Sequence, residues 1–254
     1  MDNDLLSRAL TLFAPNSAGS QDQLIDHSLR AIVELPRAVS AFFDVDFASS
    51  TTSDEFSTEC PQEPIRVLGE TLARHRSDKS TIHDYHKLYA TLFHSQRRSP
   101  KLLVEIGIGT NNPSLVSTMG PTGRPGASLR AWADCFPQAD VIGADIDREI
   151  LFNEGNIRCV QCDQTSEDGF AAVDSCIDGR PVDLLIDDGL HSVHANLNTL
   201  RFGMRNVRPG GHVVVEDIPV RLAWFWMLMA GMLGKRHACS LVRCRSAYCF
   251  VVKM

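Results

Sequence analysis

The chain beyond residue 100 alternates short apolar runs with stretches of helical periodicity. The first run, Leu102 to Ile106, is bounded by turn residues, which is typical of a buried strand. Strands that alternate with helices indicate an α/β fold, so we predict a Rossmann-like, doubly wound, mostly parallel sheet. The short link Arg243 to Ala247 predicts a C-terminal antiparallel hairpin at the sheet edge. The seven predicted strands cover 102–106, 139–146, 157–162, 182–186, 212–215, 239–242 and 248–252.

The pattern over residues 1–61 is helical and irregular by turns, and residues 65–76 have helical periodicity. Apolar residues at helical spacing predict helices over 5–12, 24–33 and 65–76, and the Ser- and Thr-rich stretch from Ala48 to Thr58 predicts a loop. We therefore expect an N-terminal helical appendage over 1–76 and a ligand-binding domain over 77–254. The appendage is predicted to be a cap, a lid or an oligomerisation segment, and the sequence does not choose among them.

Composition narrows the class of protein. The 254 residues carry a net charge of -6, which disfavours a nucleic-acid partner. The N-terminus has no secretory signal, and the apolar run Leu222 to Leu233 is too short to span a bilayer, so we expect a cytoplasmic protein without a membrane partner. Eight scattered cysteines then predict free thiols. Cys159 and Cys162 lack a second pair and make a poor zinc site.

Two glycines follow the first strand, Gly107 and Gly109. Glycine lets the backbone approach a ligand closely, and ligands of open α/β sheets bind beyond the carboxyl ends of the strands. We interpret the pair as the floor of a nucleotide-type pocket, with an ordinary strand-to-loop turn as the alternative. Thr110 and the residues after it lack the third glycine of a dinucleotide fingerprint, which disfavours a dehydrogenase.

Polar residues also follow the second and third strands. Asp145 is placed to accept hydrogen bonds from both ribose hydroxyls, although it could instead cap a turn. Asp163 and Gln164 could contact adenine or form an Asx turn. Thr81 or Ser80 is a predicted N-cap of a helix from residue 82 onward, and Ser128 of a helix whose N-terminus could receive a carboxylate. For each cap, a purely structural role is the alternative.

The fourth strand ends in Asp187-Asp188-Gly189-Leu190-His191, and the fifth ends in Glu216-Asp217. Neighbouring parallel strands would bring Asp188, Glu216 and Asp217 together. Three carboxylates without a lysine or arginine nearby in sequence indicate a hard cation such as Mg²⁺. Surface acids on two loops are the alternative. His191 is interpreted as a base, which we prefer to a metal pair with His194.

These motifs together resemble the class I S-adenosylmethionine-dependent methyltransferases. More narrowly, residues 77–254 resemble the metal-dependent macrolide and rhamnosyl sugar O-methyltransferases of antibiotic pathways. Chief among the motifs are Glu105-Ile106-Gly107, Asp-Asp-Gly-x-His and Glu216-Asp217. The sequence departs from the family at Leu190, often Ser there, and at Thr110, usually Gly. Residues 1–76 match nothing that we can place.

The resemblance implies an enzyme that transfers a methyl group from S-adenosylmethionine to a hydroxyl of a sugar or glycosylated metabolite. It implies His191 as the catalytic base and Mg²⁺ held by Asp188, Glu216 and Asp217. A homo-oligomer is also expected. The alternatives are a metal-dependent catechol-type methyltransferase and a non-catalytic cofactor-binding module. The cofactor-binding residues implied are Thr81, Glu105, Gly107, Ser128, Asp145, Asp163, Gln164 and Asp188.

Overall fold

The computed structural model describes residues 48–95 and 99–254, with the isolated positions 23, 26 and 41. The helices predicted over 5–12 and 24–33 lie outside these ranges. The strands are β1 (Ser50–Thr52), β2 (Leu102–Ile106), β3 (Asp140–Asp145), β4 (Asn153–Glu154), β5 (Ile157–Gln161), β6 (Val182–Asp187), β7 (Val207–Ile218), β8 (Ala238–Arg243) and β9 (Tyr248–Lys253). The helices are α1 (Ser53–Phe56), α2 (Gln62–Arg74), α3 (Asp78–Thr81), α4 (Tyr85–Ser95), α5 (Ala127–Cys135), α6 (Ala171–Ile177), α7 (Val193–Asn206) and α8 (Ala223–Leu233).

All the described strands form one mixed sheet, in the order β1-β8-β9-β7-β6-β2-β3-β5-β4. Five neighbouring strands, in the order β7-β6-β2-β3-β5, are parallel to one another. Strand β9 runs antiparallel to both β7 and β8. The sheet therefore has nine described strands rather than the seven predicted. The two additional strands, β1 and β4, are short and lie at its edges. Because β1 pairs with the outer side of β8, the β8–β9 pair does not form the edge.

The chain winds outward from the centre of the sheet in both directions. From β2 it passes to β3 and β5, and then returns to β6 and β7 on the other side of β2. The strand order thus reverses between β2 and β6, where an open α/β sheet binds its ligands. Successive β2 residues face opposite sides, with Leu103 packed in one apolar core and Val104 in the other. Helices α2, α4 and α5 cover the first core, and α6, α7 and α8 cover the second.

The stretch predicted as a loop, Ala48 to Thr58, contains β1 and α1 instead. The Thr52 side chain caps α1 while Glu55 accepts a hydrogen bond from the Thr52 backbone, a capping box that composition alone did not reveal. Leu68 and Leu72 of α2 lie in the same core as β2. The division at residue 76 stays a prediction, but β1 and α2 both pack onto the sheet domain.

Two predicted N-caps are wrong. Ser77, not Thr81 or Ser80, caps the short helix α3, and the following helix begins at Tyr85. Gly126, in the left-handed conformation, precedes α5, so Ser128 lies inside that helix. Within the described part of the chain, no helix is long and apolar enough to cross a membrane.

Candidate functional site

The carboxyl ends of β2 and β6 meet at the reversal point of the sheet. Gly107 has a φ of 87°, and its N–H donates to the Ala144 carbonyl at 2.7 Å. A Cβ atom at this position would lie 2.1 Å from the backbone oxygen of Asp188. Only glycine fits such a conformation and such a contact. The loop after β2 therefore lies directly against the loop that carries Asp188.

Asp145, at the end of β3, is buried and fixes this glycine loop. One carboxylate oxygen accepts from the Ile108 N–H at 2.9 Å, and the other accepts from the Asp147 N–H at 3.0 Å. Asp145 also lines a mostly apolar cavity of about 190 Å³ together with Gly107, Gln164 and Leu190. The structure therefore places Asp145 beside a cavity, while a nucleotide in that cavity and a contact of Asp145 with ribose stay predictions.

The Asp163-Gln164 pair is used differently by its two members. Asp163 accepts from the Thr165 N–H at 2.9 Å and from the Thr165 hydroxyl at 2.6 Å, which is the Asx-type turn held open as the alternative. The buried Gln164 amide donates to Asp187 and accepts from the Leu190 N–H at 2.9 Å. Gln164 therefore ties the loop after β6 to the end of β5, and both residues line the small cavity.

Glu105, the buried acid of β2, faces helix α5. Its two carboxylate oxygens accept from the Ser128 hydroxyl at 2.6 Å and from the Trp132 indole N–H at 2.7 Å. Ser128 thus holds Glu105 in place instead of capping its own helix. Ser128 also lines a second cavity, described below.

Asp188, His191 and Asp217 form the group that could hold a metal ion. One potential ligand atom from each lies within 4.8 Å of the others, and among the described residues this is the only such group of three. The His191 Nε2 atom lies 3.7 Å from a carboxylate oxygen of Asp217. His191 and Asp217 both have a φ of 54°, a conformation that residues other than glycine rarely adopt and that is frequent at functional sites.

Parallel pairing of β6 with β7 brings the predicted carboxylates to one edge, as expected. A residue from distant sequence joins them. The Lys79 side chain is 2% exposed, and its ammonium group donates to Asp188 at 2.6 Å and to Glu216. It also lies 3.5 Å from Glu105. The acids thus lack a lysine or arginine nearby in sequence but have one beside them in the fold.

Glu216 differs from Asp188 and Asp217 in its surroundings. One of its oxygens accepts from Lys79 and the other accepts from the Tyr89 hydroxyl. The side chain is 1% exposed. Glu216 therefore lies behind the group formed by Asp188, His191 and Asp217, with both oxygens already occupied by donors of the protein.

Burial and mutual repulsion shift the titration of this cluster. Burial lowers the pKa of Lys79 on its own, but attraction by Asp188, Glu216 and Glu105 raises it well above its usual value. Burial raises the pKa of Asp188 to about 7, opposed by Lys79 and reinforced by Asp217. Burial likewise raises the pKa of Glu216. Among the described residues, three carboxylates (Glu105, Asp188 and Glu216) share one ammonium group, so an added cation would stabilise their charged forms.

The sequence interpretation missed Lys79, Tyr85 and Tyr89. Tyr85 donates to Asp217, as Tyr89 does to Glu216. The two tyrosines are four residues apart on α4 and fully buried, and a buried tyrosine hydroxyl usually has a partner. Their spacing is the available signal, because residues four apart on a helix share one face, but the same spacing also fits a plain core face. Nothing local in sequence marks Lys79.

A second cavity, of about 530 Å³, adjoins the small one, and Val116 and Ser117 line both. Thr81, Ser128, Asp188, His191 and Asp217 line its walls, so it joins the glycine loop to the carboxylates. Exposed apolar side chains stand along its rim. They are Ile82, Val116 and Met119.

Three other features of the sequence do not line this cavity: His194, the Cys159 and Cys162 pair, and the apolar helix α8. His194 is exposed and contacts the Thr165 carbonyl at 2.8 Å, away from Asp188 and Asp217. All eight cysteines are free thiols, with Cys159 half-buried and Cys162 buried. Helix α8 packs Trp226 against Phe250 of the sheet, at 4.9 Å between ring centroids.

The fold is a methyltransferase-like α/β fold with a mixed sheet. The MycE methyltransferase from the mycinamycin biosynthetic pathway, solved in complex with Mg and SAH, superposes with a TM-score of 0.55 at 23% identity. The match covers 73% of this chain and 54% of that one. No family model matches the chain.

Curated proteins give a second comparison. The chain is 33% identical to 8-demethyl-8-(2-methoxy-alpha-L-rhamnosyl)-tetracenomycin-C 3'-O-methyltransferase of Streptomyces olivaceus. It is 30% identical to mycinamicin VI 2''-O-methyltransferase of Micromonospora griseorubida. Each match covers 59% of this chain but 36% of the relative, so the chain spans well under half of those proteins. The predicted resemblance to sugar O-methyltransferases of antibiotic pathways is confirmed.

Proposed function

We propose that the protein is an S-adenosylmethionine- and Mg²⁺-dependent O-methyltransferase that acts on a sugar hydroxyl of a glycosylated natural product. The observation that carries the proposal is the group formed by Asp188, His191 and Asp217 in a cavity that adjoins the glycine loop. It combines candidate ligands for a hard cation with a histidine base beside a candidate cofactor pocket. The similarity to sugar O-methyltransferases supports the choice of reaction.

The two adjoining cavities fit the proposed cofactor. Gly107 keeps the pocket floor free of a side chain, and Asp145 and the Asp163-Gln164 pair line the smaller, mostly apolar cavity, which suits a nucleoside. Thr81 and Ser128 line the larger cavity, where the methionine moiety would lie. Glu105 is proposed to act through Ser128, whose hydroxyl donates to it. When bound, the cofactor supplies an electrophilic methyl group on its sulfonium.

The carboxylates also fit a divalent cation. Asp188 and Asp217 present the oxygen ligands that Mg²⁺ prefers, and the surrounding carboxylates outnumber the ammonium group that neutralises them. Glu216 would complete the predicted set of three, but its oxygens already accept from Lys79 and Tyr89, and the Lys79 ammonium group lies between Glu216 and Asp188. A cation bound there would lower the pKa of a sugar hydroxyl that it chelates.

His191 is proposed to take the proton from that hydroxyl. Its ring lies in the larger cavity and is partly exposed to it, so an acceptor can reach it. Imidazole is the side chain that most often serves as a general base in enzymes. Asp217, 3.7 Å from Nε2, would stabilise the imidazolium ion that forms.

The acceptor is proposed to be partly apolar. Ile82, Val116 and Met119 expose apolar surface along the cavity rim, where the non-sugar part of a glycosylated metabolite would lie. A homo-oligomer and a cytoplasmic location stay predictions. Light scattering of the purified protein tests the oligomer directly.

The proposed function is tested by incubating the protein with methyl-labelled S-adenosylmethionine and parallel panels of rhamnosides, macrolide glycosides and catechols. We expect label in a sugar ether, and we expect EDTA to abolish the transfer and Mg²⁺ to restore it. Transfer to catechols alone would reassign the acceptor class. Transfer that survives EDTA would remove the metal from the reaction, and cofactor binding without transfer to any acceptor would favour the non-catalytic module.

A further inference from the structure

The most unusual feature of the acid cluster is the lysine at its centre. Lys79 belongs to α3, and its ammonium group touches Asp188, at the end of β6, and Glu216, at the end of β7. The side chain is 2% exposed, so no water layer screens these contacts. Such an ammonium group occupies the space between Asp188 and Glu216 that a shared cation would need.

The contacts divide the four carboxylates into two sets. Glu105 and Glu216 have both oxygens occupied by protein donors, which are Ser128 and Trp132 for the first and Lys79 and Tyr89 for the second. Asp188 gives one oxygen to Lys79, and Asp217 gives one to Tyr85. The carboxylate oxygens of this cluster that hold no protein donor are therefore one of Asp188 and one of Asp217, and His191 of the same group is the proposed base.

We propose that Lys79 withholds Glu216 from the divalent cation, so that the metal site of this protein uses Asp188 and Asp217 and is weaker than a site of three carboxylates. The inference rests on the proposed function, because it concerns the same metal site. Lys79 is a positioning residue: it neutralises Glu216 and engages one oxygen of Asp188. A bound cation and the ammonium group then repel each other, which lowers the affinity further.

The test measures binding of Mn²⁺ alone by calorimetry, without cofactor or acceptor. Lys79→Met removes the ammonium group but keeps a chain of similar length. We expect its Mn²⁺ affinity to exceed that of the parent protein by at least about tenfold, because Glu216 becomes free to bind and a positive charge is gone. The matched control is Lys87→Met, which removes a lysine paired with Asp54 and Asp84 outside the cluster and should leave the affinity unchanged.

A double-mutant cycle assigns the gain to Glu216. We expect Glu216→Gln in the parent background to change the Mn²⁺ affinity little, and in the Lys79→Met background to remove the gain. Asp188→Asn should weaken binding in both backgrounds. An unchanged or weaker affinity in Lys79→Met would overturn the inference. So would a loss in the Glu216→Gln single variant as large as that in Asp188→Asn.

Removing an ammonium group from buried carboxylates can prevent folding. If Lys79→Met folds only when Mn²⁺ is present, the inference is supported, because the ion then replaces the lysine. If it does not fold at all, the comparison of Glu216→Gln with Asp188→Asn decides. S-adenosylhomocysteine binding to the parent protein separates a failure of the proposed function from a failure of the inference about Lys79. Absence of that binding counts against the proposed function but leaves the Mn²⁺ comparison valid.

Discussion

The two halves of the sheet's carboxyl edge are built in different ways. The glycine half, which comprises Gly107, Gly109 and Asp145, is held mainly by backbone groups of neighbouring loops. The acid half, which comprises Asp188, His191, Glu216 and Asp217, is held by side chains from α3 and α4. A loop held by backbone groups keeps its shape when side chains around it change. A pocket framed by side chains can be retuned one residue at a time, so we expect the acid half to set the chemistry.

The largest expected effect is a loss of turnover caused by a substitution in the acid half alone. His191→Ala should lower kcat by about 10²–10⁴-fold, because general-base catalysis contributes that much. The affinity for S-adenosylhomocysteine should stay within about twofold, since the glycine half is untouched. Steady-state kinetics and calorimetry measure the two quantities. Equal losses in both would contradict the division of labour between the halves.

The next effect breaks the contact at which the two halves meet. Gly107→Ala places a Cβ atom 2.1 Å from the Asp188 backbone oxygen at a φ of 87°. We expect the free energy of unfolding to fall by about 3 kcal/mol or more, and cofactor affinity to fall with it.

Gly155→Ala is the matched control for this substitution. Its φ is 56°, but no atom lies within 4 Å of the added Cβ, so it carries the backbone strain without the collision. We expect a loss of about 1–2 kcal/mol and unchanged cofactor affinity. Similar losses in the two variants, measured by urea unfolding, would show that the contact between the loops contributes little.

The smallest expected effect concerns the pH dependence of stability. It distinguishes His212, a residue of β7 outside the acid half, from the acid half itself. Burial lowers the pKa of His212 to about 4, helped by Lys253 and Arg208. The folded state therefore favours neutral His212, and this contribution is complete above about pH 6.5 and is lost as the pH falls toward 4. Between pH 7.5 and pH 5, His212→Gln should lose about 2 kcal/mol less stability than the parent protein. Parallel pH profiles in urea unfolding would remove His212 as a cause.

The sequence predicted the glycine half better than the acid half for a physical reason. Strand β2, its glycines and the acid after β3 follow one another in local patterns of strand, turn and helix. The partners of the acids come from far away: Lys79 lies 109 positions from Asp188, and Tyr89 lies 127 positions from Glu216. Local periodicity predicts that α4 has a buried face, but it does not reveal which buried acid a tyrosine will reach.

Ser128 and Gln164 show the same limit at smaller scale. The type of residue at each position was informative, yet each side chain bonds to a partner that no short motif specifies. Ser128 holds an acid of β2 rather than capping its helix, because Gly126 takes the position before the helix. Gln164 secures the loop that carries His191. Both residues therefore shape the site through a neighbour as well as through the cavity wall.

The most direct test of the central claim is calorimetry of the purified protein with S-adenosylhomocysteine, with and without Mg²⁺, and with NAD⁺ as the comparison ligand. We predict saturable binding of S-adenosylhomocysteine in both conditions and no heat from NAD⁺, because the cofactor pocket is proposed to lie at the glycine half and to form without the cation. Absence of S-adenosylhomocysteine binding in both conditions would contradict the account, since Gly107 and Asp145 would then not form the pocket of a methyltransferase.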